Sequence, residues 1–84
     1  MIPIHKLLSR IQWDKKFGQG VFEIGYYDRI LDEIIKVPFS KIIFAPGNRN
    51  AIQVMDHEGV IHSIPLHRIK EVYKDNELIW HREH

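Results

Sequence analysis

The segment IPLHRI (residues 64–69) stands out among the short, alternating segments of the C-terminal half of this chain. Three of its residue types, proline, histidine and arginine, are disfavoured inside a β-strand that lies in the interior of a sheet. Pro65 lacks the N–H that pairs with a neighbouring strand, and His67 and Arg68 place polar groups where apolar packing is expected. The segment therefore either marks the end of a strand at a sheet edge or builds a site.

Segments with the period of β-strands lie on both sides of IPLHRI. The segment SKIIF (residues 40–44) fits either a short strand or one turn of helix. HEG (57–59) predicts a tight turn, and Asp75-Asn76 predicts a two-residue hairpin because both residue types tolerate left-handed backbone. The predicted strands are VFEIGYY (21–27), EIIKVPF (33–39, ended by Pro38), AIQVMD (51–56), VIHSIP (60–65), IKEVYK (69–74) and ELIWHR (77–82).

One amphipathic helix is predicted over residues 3–12. Its apolar positions follow at i, i+3, i+4 and i+7, and Pro3 suits the first helical position, where its missing N–H costs nothing. Connections between the strands are short, so neighbours in sequence are expected to be neighbours in space. The fold class expected is α+β: an N-terminal helix packed on a curved antiparallel sheet or small open barrel of five to six short strands. The apolar helix positions are Ile4, Leu7, Leu8 and Ile11.

Length and composition indicate a single domain spanning residues 1–84. The hydrophobic fraction of 44% and the charged fraction of 27% are typical of a soluble globular protein. The absence of cysteine excludes disulfides and thiolate ligands, and no apolar run approaches the ~20 residues of a membrane span. We expect a cytoplasmic protein without a membrane association. A formal net charge of +1 excludes nucleic-acid binding by bulk electrostatics, so such a role needs local contacts.

The motifs of metal sites and of common enzymes are missing. His57, His62 and His67 are spaced by five residues, and an odd separation sends neighbouring strand side chains to opposite faces. No serine lies in G-x-S-x-G, and GQG lacks the pattern of a phosphate-binding loop. Asp28 and Asp32 resemble ordinary turn residues. We therefore expect no metal, no cofactor and no catalytic residue.

Two segments combine charged and aromatic residues at strand ends: YYDRI (26–30) and IPLHRI. Arg29 and Arg68 offer planar forks that match phosphate oxygens, and His67 can donate to a phosphate or a ribose hydroxyl. Tyr26 offers a surface on which a base can stack, and Asp28 can orient an arginine or accept from a ribose hydroxyl. The competing interpretation is that Asp28–Arg29 and His67–Arg68 are ordinary surface pairs.

The aromatic residues outside these segments have more than one possible role. Trp80 alternates with Leu78, so it is expected to pack in the core, and Tyr73 is expected to share the buried face of Ile69. Trp13 follows the apolar helix face without fitting its period. It is expected either to cap the core or to stack on a base.

The sequence resembles a family of small domains, formerly listed as a domain of unknown function, that is described as a recognition domain for RNA ends with cyclic phosphates. The resemblance covers roughly residues 8–82. Its most specific parts are Y-x-D-R at Tyr26, Asp28 and Arg29, and I-P-x-H-R-I around His67 and Arg68. Trp80 matches as well, and the supporting segments are RIQWD, KVPFSKI and ELIWHR.

The resemblance implies a non-catalytic module that binds RNA 3′ ends carrying a cyclic, 2′- or 3′-phosphate. It implies as partners the enzymes of RNA repair or processing, namely RNA ligases, cyclic phosphodiesterases or nucleotidyltransferases. The site residues implied are Tyr26, Asp28, Arg29, His67 and Arg68, with Trp13 as a further stacking candidate. Two alternatives stay open: a phosphoesterase with His67 as general acid or base, and a protein–protein interaction domain. We expect YYDRI and IPLHRI to converge on one anion-binding site.

Overall fold

The computed structural model describes residues 2–44 and 50–83. Within them one α-helix precedes seven short strands, and two 3₁₀ turns interrupt the strands at Phe39–Lys41 and Leu66–Arg68. The elements are α1 (Ile4–Trp13), β1 (Phe22–Asp28), β2 (Glu33–Pro38), β3 (Ile42–Ile43), β4 (Ala51–Met55), β5 (Ile61–Pro65), β6 (Ile69–Lys74) and β7 (Glu77–His81).

Helix α1 forms where the apolar period predicts it. Ile4, Leu7, Leu8 and Ile11 are all buried. The helix begins at Ile4, one residue later than predicted, because Pro3 is extended and lies at the N-cap position. Since α1 has ten residues, the only helix in the described part of the chain is too short to cross a membrane.

The strands form two antiparallel sheets. The four-stranded sheet has the order β2-β1-β6-β7, and the three-stranded sheet has the order β3-β4-β5. The predicted fold class is confirmed, with one or two more strands than expected. The excess arises because SKIIF contains both structures that its pattern allowed: it completes a 3₁₀ turn and then forms the two-residue strand β3.

A register shift between β1 and β6 changes which side of β6 is buried. Gly25 pairs with Glu71 and Tyr26 pairs with Ile69, which leaves Lys70 as an extra residue. Such a bulge shifts the alternation of side chains along the strand. The prediction that Tyr73 shares the buried face of Ile69 is therefore wrong, because Tyr73 is only half-buried and lies outside the core.

The core lies where α1 and both sheets contribute apolar side chains. Trp80 is 7% exposed, as its alternation predicts, and its indole N–H donates to the carbonyl of Ile2 at 2.9 Å. Asp75 and Asn76 adopt φ values of 52° and 68°, which confirms the predicted two-residue hairpin. The most completely buried large side chains are Ile24, Ile52, Ile69 and Val72.

The segment IPLHRI connects the two sheets. Pro65 ends β5 of the three-stranded sheet, Leu66–Arg68 form a 3₁₀ turn, and Ile69 begins β6 of the four-stranded sheet. We call residues 64–69 the second corner, and the corresponding connection from β2 to β3, residues 37–42, the first corner. The proline of IPLHRI is thus explained by a strand that must stop before the chain changes sheets.

Candidate functional site

A cleft of about 910 Å³ lies between the β1–β2 hairpin and the β4–β5 hairpin. We call it the hairpin cleft. Four of the predicted site residues line it: Tyr26, Asp28, Arg29 and Arg68. The two segments in which the sequence combines charged and aromatic residues are therefore brought to one place. Whether RNA binds there stays a prediction.

The turn between β1 and β2 positions Arg29. One carboxylate oxygen of Asp28 accepts hydrogen bonds from the N–H groups of Ile30 and Leu31, at 2.9 and 3.1 Å. This is the arrangement by which aspartate stabilises a turn, and it fixes the backbone on both sides of Arg29. The other oxygen of Asp28 takes no part in these two bonds, so a ligand hydroxyl has an acceptor at the cleft.

Arg82, which the sequence did not single out, holds the second corner and with it Arg68. Its Nε donates to the carbonyl of Ile69 at 2.8 Å, and an Nη donates to the carbonyl of Leu66. The Arg82 guanidinium also lies 5.3 Å from the centre of the Trp80 ring. A guanidinium fork suits this task because one side chain can donate to two carbonyls. Nothing in the sequence indicates the contact, because it depends on the pairing of β6 with β7.

Neither arginine of the hairpin cleft is paired with a protein anion in the described part of the chain. Among residues 2–44 and 50–83, the ion pairs are Arg10–Asp14 and Asp56–His62, and neither Arg29 nor Arg68 forms one. The alternative interpretation of these arginines as members of ordinary surface ion pairs therefore lacks support in the described part of the chain. Their charges are available for an external anion.

Tyr26 is half-buried, and its side chain packs against the core. Burial, with a smaller contribution from the negative charge of Asp28, raises the pKa of the Tyr26 hydroxyl. The hydroxyl is therefore protonated at neutral pH and available as a donor to a phosphate or ribose oxygen. Because part of the ring is buried, its surface for stacking is smaller than that of a free tyrosine.

Two predicted residues lie apart from the cleft. His67 belongs to the second corner but is exposed and is not among the residues that line the hairpin cleft. Trp13 ends α1 with 78% of its surface exposed, so it does not cap the core, and it does not line the cleft either. Their roles in RNA binding stay predictions without support from this cleft.

The β4–β5 hairpin adds two histidines, His57 and His62, to the cleft wall. Asp56 closes this hairpin. One of its oxygens accepts from the N–H groups of Glu58 and Val60, both at 2.9 Å, and the other lies 2.7 Å from Nε2 of His62. The hydrogen bond from His62, followed by that from Val60, holds the pKa of the Asp56 carboxyl below its ordinary value.

The cleft wall includes a further cation, Lys41, from the first corner. It forms no ion pair within the described ranges, 2–44 and 50–83. Lys36 borders the cleft too, but its ammonium lies 3.9 Å from the centre of the Tyr73 ring and is engaged there. Lys41 and Lys36 were both missed by the sequence analysis.

A smaller depression of about 490 Å³ is lined by Tyr27, Asp32, Glu33, Ile34 and Lys70. The Tyr27 hydroxyl donates to Asp32, and this bond is the main reason why the pKa of Tyr27 is raised. Two carboxylates make this depression a poor site for phosphate. Within the described residues, no group of three histidine, aspartate or glutamate side chains is placed to hold a metal ion.

The comparisons with known proteins give one result. A family model for the MJ1316 RNA cyclic group end recognition domain matches residues 1–82. No curated protein and no solved structure matches the chain. Since the match covers nearly the whole sequence, the chain belongs to the MJ1316 RNA cyclic group end recognition domain family.

Proposed function

We propose that this protein is a non-catalytic RNA-binding module that recognises the terminal phosphate of processed or damaged RNA. The observation that carries the proposal is that Arg29 and Arg68 both line the hairpin cleft and that neither forms an ion pair within residues 2–44 and 50–83. The family description, an RNA cyclic group end recognition domain, supports the same ligand.

The chemistry of the cleft suits a nucleotide end. A terminal phosphate is matched by guanidinium forks, which bind its oxygens in pairs and stay charged at every working pH. The free oxygen of Asp28 offers an acceptor for a ribose hydroxyl, and the Tyr26 hydroxyl offers a donor. A ligand confined to one end of a strand is also compatible with a protein whose net charge is only +1.

The proposed partners follow from the resemblance to the family and from the logic of a recognition module. A module that only binds an RNA end needs an enzyme to act on that end. We propose an RNA ligase, a cyclic phosphodiesterase or a nucleotidyltransferase of RNA repair or processing, acting in the cytoplasm.

The experiment that tests the proposal is a titration with short labelled RNAs that differ only at the 3′ end. The ends are 2′,3′-cyclic phosphate, 2′-phosphate, 3′-phosphate and hydroxyl, with a DNA control at the same salt. We expect tight binding to one phosphorylated end. Arg29→Ala and Arg68→Ala should each weaken that binding by about 1.5–3 kcal/mol, the contribution of a charge-assisted hydrogen bond. Equal, weak binding to all four ends contradicts the proposal and points to a protein partner.

A phosphoesterase is a second candidate, and one observation favours it. His62 lies on the cleft wall with Asp56 bound to its Nε2, which is the arrangement that orients a general base. His67, the acid or base expected from the sequence, does not line the cleft. The titration separates the two functions when the RNA is recovered and its end analysed on a gel. An unchanged end identifies a recognition module, and a converted end that is lost in His62→Ala identifies an enzyme.

A further inference from the structure

The two corners have matching sequences. The first reads VPFSKI (residues 37–42) and the second reads IPLHRI (residues 64–69). Each has a β-branched apolar residue, a proline, an apolar residue, a polar residue, a cation and an isoleucine, in that order. A match of six residues is short, but in both cases the segment occupies a sheet-to-sheet connection.

The backbones of the corners match as well. Pro38 has φ −60° and ψ 139°, and Pro65 has φ −59° and ψ 142°. Each proline precedes a three-residue 3₁₀ turn. In each, the N–H of the following isoleucine, Ile42 or Ile69, donates to the carbonyl of the first turn residue. The two corners are therefore one structural unit used twice.

This repetition places two cations in equivalent positions. Lys41 ends the 3₁₀ turn of the first corner, and Arg68 ends that of the second. Both turns contact β1, and both cations line the hairpin cleft. Lys41 is thus the counterpart of the arginine that the sequence predicts to bind phosphate.

The charges of the hairpin cleft favour the binding of more than one phosphate group. Arg29, Lys41 and Arg68 form no ion pair within residues 2–44 and 50–83. The carboxylates on the wall, Asp28 and Asp56, are each hydrogen-bonded to two backbone N–H groups of their own hairpins, which offset part of their negative charge. The volume of about 910 Å³ is near the upper end of the ~300–1,000 Å³ that encloses a drug-sized ligand.

We propose that the hairpin cleft binds two successive phosphates of an RNA strand and that Lys41 binds the second. Arg29 and Arg68 bind the terminal phosphate, for which paired guanidinium donors are suited. Lys41 contacts the preceding phosphodiester as a compact charge that needs no fixed orientation. The cleft therefore binds an oligonucleotide end more tightly than a mononucleotide. This inference rests on the proposed function and names the ligand of the same site more closely.

The test compares a mononucleoside 2′,3′-cyclic phosphate with the dinucleotide that carries the same end and one internal phosphodiester. We expect the parent protein to bind the dinucleotide roughly tenfold more tightly or better, since one charge-assisted contact is added. Lys41→Ala should remove this advantage and leave the affinity for the mononucleotide unchanged. For a longer single-stranded RNA with the same end, the slope of log K against log salt should fall by about 0.7 in Lys41→Ala.

Lys6→Ala is the matched control. It removes the same charge from the exposed face of α1, away from the cleft, and should leave both affinities unchanged. Lys41 is itself exposed, so Lys41→Ala is expected to keep its thermal midpoint, and this is measured alongside.

The outcomes separate the inference from the proposed function. Equal affinities for the two ligands, unchanged in Lys41→Ala, overturn the inference while the proposed function stands. An equal loss for both ligands in Lys41→Ala also overturns it, because Lys41 then binds the terminal phosphate. Failure of the parent to bind either ligand, or any longer RNA with a phosphorylated end, overturns the proposed function itself.

Discussion

Replacing Arg82 by lysine should loosen the second corner without changing the charge of the protein. The guanidinium donates to the carbonyls of Leu66 and Ile69, and an ammonium cannot span both in the same geometry. A hydrogen bond to a charged group contributes about 1.5–3 kcal/mol. Because Arg82 is only half-buried, water replaces part of what is lost, and we expect the total cost to equal that of one such bond. For a domain of this size, that lowers the thermal midpoint by roughly 6–24 °C.

The assay is thermal unfolding followed by circular dichroism, together with RNA-end binding well below the midpoint. Arg82 does not line the hairpin cleft, so it should affect binding only through the position of Arg68. We expect Arg82→Lys to weaken binding while the salt dependence of the affinity stays that of the parent. Loss of a direct phosphate contact would instead lower the salt slope by about 0.7.

Arg10→Lys is the matched control for Arg82→Lys. Arg10 forms an exposed ion pair with Asp14, 3.7 Å apart, and its guanidinium lies 4.0 Å from the centre of the Phe17 ring. Unlike Arg82, it forms no side-chain hydrogen bond to a backbone carbonyl in the described part of the chain. The same substitution there should move the midpoint by less than about 4 °C. If Arg82→Lys unfolds at the same thermal midpoint as the parent and binds the RNA end with the same affinity, the reasoning about the second corner is refuted.

Two further predictions concern the core and the β4–β5 hairpin. Ile69→Ala should lower the free energy of unfolding, measured in urea, by about 2–5 kcal/mol, because Ile69 is 0% exposed. Ile30→Ala is the control: Ile30 is 94% exposed, and its replacement should cost under about 0.5 kcal/mol. Similar costs for both would contradict the assignment of the core. The pKa of Asp56 should lie below its ordinary value of 3.8 in a carboxyl NMR titration and rise towards it in His62→Ala. Since the folded state holds this carboxyl ionised, the contribution of Asp56 to stability is present above that value and is lost as the pH falls through the lower, folded pKa. A titration of Asp56 that is the same in both proteins would show that His62 does not stabilise the carboxylate.

Local patterns in the sequence were sufficient to predict most of the fold. The buried helix face, the left-handed Asp75-Asn76 hairpin and the buried Trp80 all follow from spacing and residue type. The position of Tyr73 could not be predicted in this way. It depends on a bulge at Lys70, and a bulge arises from the pairing of two strands and leaves no local pattern.

The candidate site was accessible to sequence reasoning only in part. Arg29 and Arg68, whose binding of phosphate stays a prediction, could be selected as candidates because each stands at the end of a strand beside aromatic or apolar residues. Arg82 could not, because its partners, the carbonyls of Leu66 and Ile69, belong to a distant segment of the chain. The match between VPFSKI and IPLHRI does point to Lys41 as the counterpart of Arg68. A match of six residues becomes informative only when the structure shows that both segments join the same two sheets.

The central claim, that the hairpin cleft binds a phosphorylated RNA end, is tested most directly by NMR. ¹⁵N-labelled protein is titrated with a short RNA that ends in a cyclic phosphate and, separately, with the same RNA ending in a hydroxyl. We expect the phosphorylated RNA to shift the backbone amides of residues 28–30 and 66–69 and the Nε–H signals of Arg29 and Arg68, with little change for the hydroxyl end. Shifts confined to α1 around Trp13 or to Asp32 and Lys70 of the smaller depression, or the same shifts with both RNAs, would contradict it.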